Sequence, residues 1–213
     1  MPSLTKGGFY HAGQVCVSVQ RVFADSSIAR EVAQKIAEKA KKLIVGDPTD
    51  ATTEVGPLIR NRETDRVEAW VNEAVAAGAE LLCGGKRISD SCFEATVLLN
   101  PPSDCKVSQA EIFGPVVCVY SVENVDAAIA RANDVPFSFQ ASVFTRSIDT
   151  AMRAYRRLNA SAVMVNEHTA FRVDWMPFAG LKQSGLAVGG IPFTMHDMQV
   201  RKILVFHSEE LRP

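Results

Sequence analysis

The order in which apolar patterns change along this chain constrains its fold more than any other feature. Val17-Ser18-Val19-Gln20-Arg21-Val22-Phe23-Ala24 is rich in β-branched residues and ends in Asp25-Ser26-Ser27, a strand leading into a helix cap. Ile28, Val32, Ile36, Ala40 and Leu43 then recur at helical spacing until Gly46-Asp47-Pro48 stops the run. A polar loop, Asp47 to Glu54, leads to a second helical stretch from about Asn61 to Ala77, with Val67, Trp70, Val71, Ala74 and Val75 on one face and Gly78 closing it. Leu81-Leu82-Cys83, Thr96-Val97-Leu98-Leu99 and Val116-Val117-Cys118-Val119-Tyr120 read as strands, the last of buried character. The same beat continues with Val125 to Ala132 as helix, Ala141 to Phe144 as strand, Ile148 to Leu158 as helix and Ala162 to Val165 as strand. Such alternation predicts an α/β fold of three layers, a mostly parallel sheet flanked by helices.

From Asn166 onward the texture changes to Gly, Pro, Phe and Met without clear periodicity, which marks a functional segment rather than filler. Val200-Arg201-Lys202-Ile203-Leu204-Val205-Phe206 then stands as a detached C-terminal strand, suited to adding to another sheet in a second subunit. The expected organisation is therefore a main domain over 1–195 and an oligomerisation strand and tail over 196–213.

With 213 residues, 47% of them hydrophobic, the chain can build such a core without disulfides or a structural metal. Lys and Arg number 23 against 24 Asp and Glu, with no basic block, which argues against nucleic acid as a partner. Met1 to Gly8 has no apolar leader, and no window approaches the roughly 18 uninterrupted apolar residues of a membrane span, so a cytoplasmic location is expected. Cys16, Cys83, Cys92, Cys105 and Cys118 are scattered, with neither a C-x-x-C pair nor a histidine at zinc-ligand spacing, and read as reduced thiols. Four of them need no more than the role of small buried hydrophobes.

Cys16 differs in its neighbourhood. Phe9-Tyr10-His11-Ala12-Gly13-Gln14-Val15-Cys16 puts it just after a Gly-containing turn and before a strand, where a side chain can be displayed with backbone N–H groups beside it. A thiol in such a place can act as a nucleophile toward a carbonyl carbon, against the commoner alternative of a buried structural cysteine. This stretch resembles the nucleophile motif of the aldehyde dehydrogenase superfamily, an aromatic and a small residue followed by Gly-Gln-x-Cys. Glu111-Ile112-Phe113-Gly114-Pro115-Val116 is similar to the family's Glu-x-Phe-Gly-Pro-Val signature. Met176-Pro177-Phe178-Ala179-Gly180-Leu181-Lys182-Gln183-Ser184-Gly185 is similar to its Pro-Phe-Gly-Gly-x-Lys-x-Ser-Gly segment, and the three motifs stand in family order.

The resemblance implies the C-terminal, catalytic half of such an enzyme, oxidising a small aldehyde to a carboxylate with NAD or NADP. Cys16 would attack the aldehyde, and the thiohemiacetal would become a thioester that water hydrolyses, with the Cys16 N–H as an oxyanion donor. By the same resemblance Glu111 binds the nicotinamide ribose and Phe113 packs at the nicotinamide end. Without it, the pair reads as a solvated carboxylate and a core aromatic. Family members are about twice as long and form dimers or tetramers. The N-terminal part, which supplies the dinucleotide-binding domain, a general-base Glu and an oxyanion-hole Asn, has no counterpart here. Glu80-Leu81-Leu82-Cys83-Gly84-Gly85-Lys86 superficially matches the family's base motif but carries an extra residue and lies on the wrong side of Cys16, so it reads as a helix-to-strand connection. With no G-x-G-x-x-G after a strand either, the chain alone is expected to be inactive as a dehydrogenase. The alternatives are a non-catalytic association module and a thiol-dependent esterase.

In the family the residue six before the nucleophile and the loop ahead of the Pro-Phe segment line the aldehyde tunnel. Those positions are Tyr10 and Phe171-Arg172, with Phe178 closing the far wall. Arg172 departs from the aromatic found in many members, and its guanidinium offers a planar fork to an anionic group on a short aldehyde. Pairing with Asp174 as a surface ion pair is the alternative. Val15 stands where relatives that use phosphorylated aldehydes often carry Arg, which weighs against a phosphate. His11, His168, His196 and His207 read as structural, with His168 near the tunnel loop.

Overall fold

A computed structural model describes residues 2–211 of the chain. Helix α1 (Pro2–Phe9) passes through a 3-10 turn (Tyr10–Gly13) and a loop into strand β1 (Arg21–Asp25). Helices α2 (Ala29–Ala40) and α3 (Asn61–Ala76) follow, then β2 (Glu80–Cys83), β3 (Thr96–Leu99), the single-turn α4 (Lys106–Gln109) and β4 (Val116–Val122). Beyond these lie α5 (Val125–Asn133), the two-residue β5 (Phe137–Ser138), β6 (Gln140–Val143), α6 (Ile148–Arg157) and β7 (Ala162–Val165). The two-residue β8 (Leu181–Lys182) and α7 (Ile191–Asp197) complete the regular elements before a last 3-10 turn (Glu209–Leu211).

The principal sheet has the order β1-β4-β3-β2, with β1 and β3 each parallel to β4 and β2 antiparallel at the edge. β6 and β7 form a separate parallel pair, and β5 pairs with β8 antiparallel. The expected α/β architecture, a mostly parallel sheet with helices against it, is therefore present. β4 is its centre because Val116, Val117, Cys118, Val119 and Tyr120 are all buried, as a strand covered on both faces requires. α2 lies close to the sheet through small residues, Ala29, Ala33, Ala37 and Ala40, with Ile36 fully buried among them.

The two faces of β4 are covered differently. A Cβ on Gly8 would lie 2.5 Å from Val117 Cγ2, so α1 presses directly on that face; α1 also packs against α2. On the other face Tyr120 stacks with Phe23, and the Arg131 guanidinium of α5 lies 4.8 Å from the Tyr120 ring centre. α5 and α6 start at well-formed caps, Asn124 accepting from the Ala127 N–H at 2.9 Å and Ser147 from the Thr150 N–H at 3.3 Å.

Several expectations shift. The first strand starts at Arg21 rather than Val17, because residues 15–18 are spent on a tight turn. α1 and α7 form where the sequence shows no helical periodicity. Val200 to Phe206 pairs with no strand among the described residues, and Val200, Ile203, Leu204 and Val205 are 94, 86, 85 and 87% exposed. A β-prone run without a neighbouring edge has nowhere to place its backbone hydrogen bonds.

Candidate active site

Cys16 occupies the second position of a tight turn closed by the Ser18 N–H donating to the Val15 carbonyl at 2.8 Å. Of the five cysteines it is exposed and the other four are buried. Burial raises the Cys83 thiol to about 11 and the Cys118 thiol to about 12; Cys105 is raised too, by burial first and then by Asp104 and Glu73. These groups stay protonated and inert at neutral pH, as small core residues should.

The turn that displays Cys16 is held by an unusual backbone. His11, Ala12 and Gly13 all have positive φ, at 49°, 55° and 69°. Gly13 is obligatory: a Cβ there would lie 2.0 Å from the Gly114 carbonyl oxygen. That contact seats the cysteine loop against the Glu111–Pro115 segment, so two motifs about a hundred residues apart form one structure. Phe113 also has a positive φ, 49°, and such non-glycine outliers cluster at functional sites.

Two glutamines fix these loops. The Gln14 amide donates to the Pro57 carbonyl at 3.2 Å and accepts from the Ile59 N–H at 2.9 Å, tying the nucleophile loop to residues 57–59. The Gln20 amide donates to the Ala110 carbonyl at 2.8 Å and accepts from the Ile112 N–H at 2.9 Å, clasping the peptide on both sides of Glu111. Gln20 was not singled out from the sequence, where it reads as one polar residue inside a strand. The Thr169 hydroxyl donates to the Val17 carbonyl at 2.6 Å and brings in the loop after β7.

Cys16, Glu111, Phe113 and Thr169 line one groove of about 970 Å³. Phe113 shows 40% of its surface and Glu111 is exposed, so carboxylate and ring are both available to a ligand. Partial burial raises the Glu111 pKa, opposed by the Arg66 guanidinium. Tyr10 belongs to the same neighbourhood: its phenol is raised by burial first and by Cys16 second, and its ring is tilted against His11 at 5.2 Å.

The remaining candidates stand apart. Arg172 lies over the Phe178 ring at 4.6 Å and forms no ion pair with Asp174; both charged residues line a second hollow of about 600 Å³ with α7. Phe178 in turn packs edge-on against Phe139, a wall residue of the Cys16 groove, at 4.8 Å. Phe171 is 47% exposed. The Glu80 segment lies in β2, where Glu80 accepts from Arg30 at 2.8 and 2.7 Å, well occupied and outside the groove.

Comparison with known proteins finds relatives over most of the chain. The model described as the aldehyde dehydrogenase family matches residues 1–204. A 3-sulfolactaldehyde dehydrogenase of Priestia aryabhattai is 39% identical over 204 residues, 96% of this chain and 43% of the relative. Aspartate-semialdehyde dehydrogenase 1 of Pseudomonas canavaninivorans is 38% identical over 202 residues, 95% of this chain and 43% of the relative. Among solved structures, aldehyde dehydrogenase 21 from Physcomitrella patens, in complex with its reaction product succinate, superposes with a TM-score of 0.93 at 34% identity, covering 99% of this chain and 44% of that one. The chain thus spans less than half the length of the proteins it matches. No helix among the described residues is long and apolar enough to cross a membrane.

Proposed function

The chain belongs to the aldehyde dehydrogenase family, and from that premise we propose that it is the C-terminal, catalytic part of an enzyme that oxidises a short anionic aldehyde to a carboxylate. The observation that carries this reading is the exposed Cys16 on a tight turn just after the positive-φ run His11–Gly13, locked through Gly13 onto the loop that presents Glu111 and Phe113. The Cys16 thiolate adds to the aldehyde carbon, and its own backbone N–H faces the oxygen on which charge develops. Loss of hydride leaves a thioester on Cys16, and water releases the carboxylic acid.

The groove suits a nicotinamide cofactor at one end, where an exposed carboxylate and a half-exposed ring lie beside each other near the thiol. Glu111 would accept hydrogen bonds from ribose hydroxyls and Phe113 would offer an apolar face. When bound, NAD or NADP supplies the hydride acceptor. A dinucleotide-binding part outside this chain would hold the rest of it, so the 213 residues alone should show no turnover.

Arg172 is our candidate for the anionic group of the substrate. It has no carboxylate partner among the described residues, and stacking on Phe178 leaves its N–H edges free. Relatives named for 3-sulfolactaldehyde and aspartate semialdehyde support an anionic substrate class. Tyr10, Phe171 and Phe178 would surround the carbon chain. The main domain would extend over 1–195, with the tail from 196 serving association between copies, in a dimer or tetramer.

The test is made on the full-length protein. Cys16→Ala should abolish NAD(P)H formation, whereas unchanged turnover would reject the nucleophile. Arg172→Leu should raise KM for anionic aldehydes and spare neutral ones, and an equal effect on both would reject the anion site.

A further inference from the structure

Two segments meet beside Cys16: the turn that displays the thiol, and the loop after β7 that carries Arg172. Among the described residues one hydrogen bond joins them, from the Thr169 hydroxyl to the Val17 carbonyl at 2.6 Å. We propose that Thr169 is a positioning residue for substrate selection. It sets the separation of Cys16 from the Arg172 guanidinium, and with it the length of anionic aldehyde that the enzyme accepts. This rests on the reading of Arg172 as the anion site.

The loop is fastened at its two ends. Asn166 leaves β7 with a positive φ of 60° and clasps the Thr145 backbone, accepting from its N–H and donating to its carbonyl, both at 2.9 Å. The Ser142 hydroxyl donates to the Glu167 carbonyl, and His168 lies so close to α1 that a Cβ on Gly7 would be 3.1 Å from its own Cβ. At the far end Phe178 and Gly189 exchange N–H and carbonyl bonds at 3.0 and 2.8 Å. Between these anchors, among the described residues, the hydrogen bonds of residues 170–177 all close inside the loop. The Ala170 N–H donates to His168 Nδ1 at 3.1 Å, the Phe171 N–H to the His168 carbonyl at 3.2 Å and the Met176 N–H to the Val173 carbonyl at 3.0 Å. Phe171, Arg172 and Trp175 are exposed. Thr169 is therefore the last residue before Arg172 that is hydrogen-bonded to another part of the fold.

The nucleophile turn does not depend on Thr169 in return. The Ser18 hydroxyl and the Val19 N–H both donate to the Gly7 carbonyl, at 3.0 and 2.9 Å, and Gln14 and Gly13 hold the residues before Cys16. This asymmetry decides which side moves when the bond is lost: the loop shifts and the thiol stays. The Val17 carbonyl accepts from no backbone N–H among the described residues, so the Thr169 hydroxyl also satisfies it. A β-branched side chain has few χ1 choices, which makes threonine a stiff strut between the two segments.

An anionic aldehyde bound here is held at two points, the carbonyl carbon within reach of the Cys16 sulfur and the anionic group on the Arg172 fork. Attack needs the reacting atoms about 3–3.5 Å apart, and a misplacement of about 1 Å can cost about 100-fold in rate. Two points at a set separation select one chain length. If one of them drifts, neighbouring lengths are accepted and the best one loses its advantage.

Steady-state kinetics of the full-length protein test this, with a graded series of ω-carboxyl aldehydes and neutral aldehydes of matching length. Thr169→Val keeps the side-chain shape and removes the donor, whereas Thr169→Ser keeps the donor. In Thr169→Val, kcat/KM at the preferred anionic length should fall at least about 10-fold more than for neutral aldehydes, with kcat falling more than KM rises. The preference over adjacent lengths should flatten, and Thr169→Ser should restore it. An unaltered length profile in Thr169→Val would overturn the proposal, as would equal losses for every aldehyde or a serine variant as impaired as the valine one. Arg172→Leu separates the proposal from its premise. A profile flattened by Arg172→Leu and untouched by Thr169→Val leaves the anion site standing and rejects the role of Thr169, whereas an unaltered profile in Arg172→Leu rejects both.

Discussion

Two parts of this molecule obey different rules. Up to Val122 the chain encloses a continuous core around β3 and β4, with Leu98, Val97, Val117 and Cys118 fully buried. After Ala179 no described residue is buried, although Leu186, Val200, Ile203 and Leu204 are as apolar as anything in the core. Hydrophobicity is similar and packing is not. The first part is patterned for contacts made within the chain, whereas the apolar residues of the last stay exposed among the described residues.

Matched truncations should break or confirm this contrast. Leu98→Ala removes a fully buried side chain and should cost about 2–5 kcal/mol, whereas Leu204→Ala, at an exposed site, should stay within about 0.5 kcal/mol. Urea unfolding of the two variants measures both, and comparable losses would remove the distinction. Gly13→Ala tests the joint between the two motifs. Left-handed backbone costs a residue with a Cβ about 1–2 kcal/mol, and the overlap with the Gly114 carbonyl adds about 1–3 kcal/mol. A variant with wild-type Tm would mean that the loops are not locked there.

Gln20→Ala leaves the buried Ile112 N–H without its acceptor and should cost about 1–3 kcal/mol, with faster amide exchange concentrated in residues 110–112. Exchange that rises evenly across the sheet would instead make Gln20 a general core residue. The smallest effect concerns Glu111. Burial raises its pKa in the fold, so its contribution to stability is present below the ordinary carboxylate range and is lost as pH rises through the raised value. Glu111→Gln should flatten the Tm profile across that window, and an identical profile would place the carboxylate in bulk-like solvent.

The same division governs what could be read from sequence. β3 coincides with the run Thr96–Leu99, and α2, α3, α5 and α6 lie within a few residues of their apolar periodicities, because each buries one face inside the chain. α1 carries no helical signal because Gly7 and Gly8 are poor helix formers, tolerated where the helix must lie against Val117. α7, Ile191–Asp197, buries no residue, so its sequence carries no two-sided pattern. Cys16 was legible through its motif, yet its isolation as the exposed thiol needed the fold. Gln20 was not legible, since its partners lie 90 and 92 residues away. Nor did sequence show that Arg172 stacks on Phe178 rather than pairing with Asp174.

The most direct test of the central claim is to trap the intermediate. Full-length protein turning over an aldehyde with NAD(P) is quenched in acid within the first turnovers, digested, and its cysteine peptides weighed. An acyl thioester is expected on the Cys16 peptide, with Cys83, Cys92, Cys105 and Cys118 unmodified. Turnover with the acyl group on another residue, or with no acyl adduct at any quench time, would contradict it.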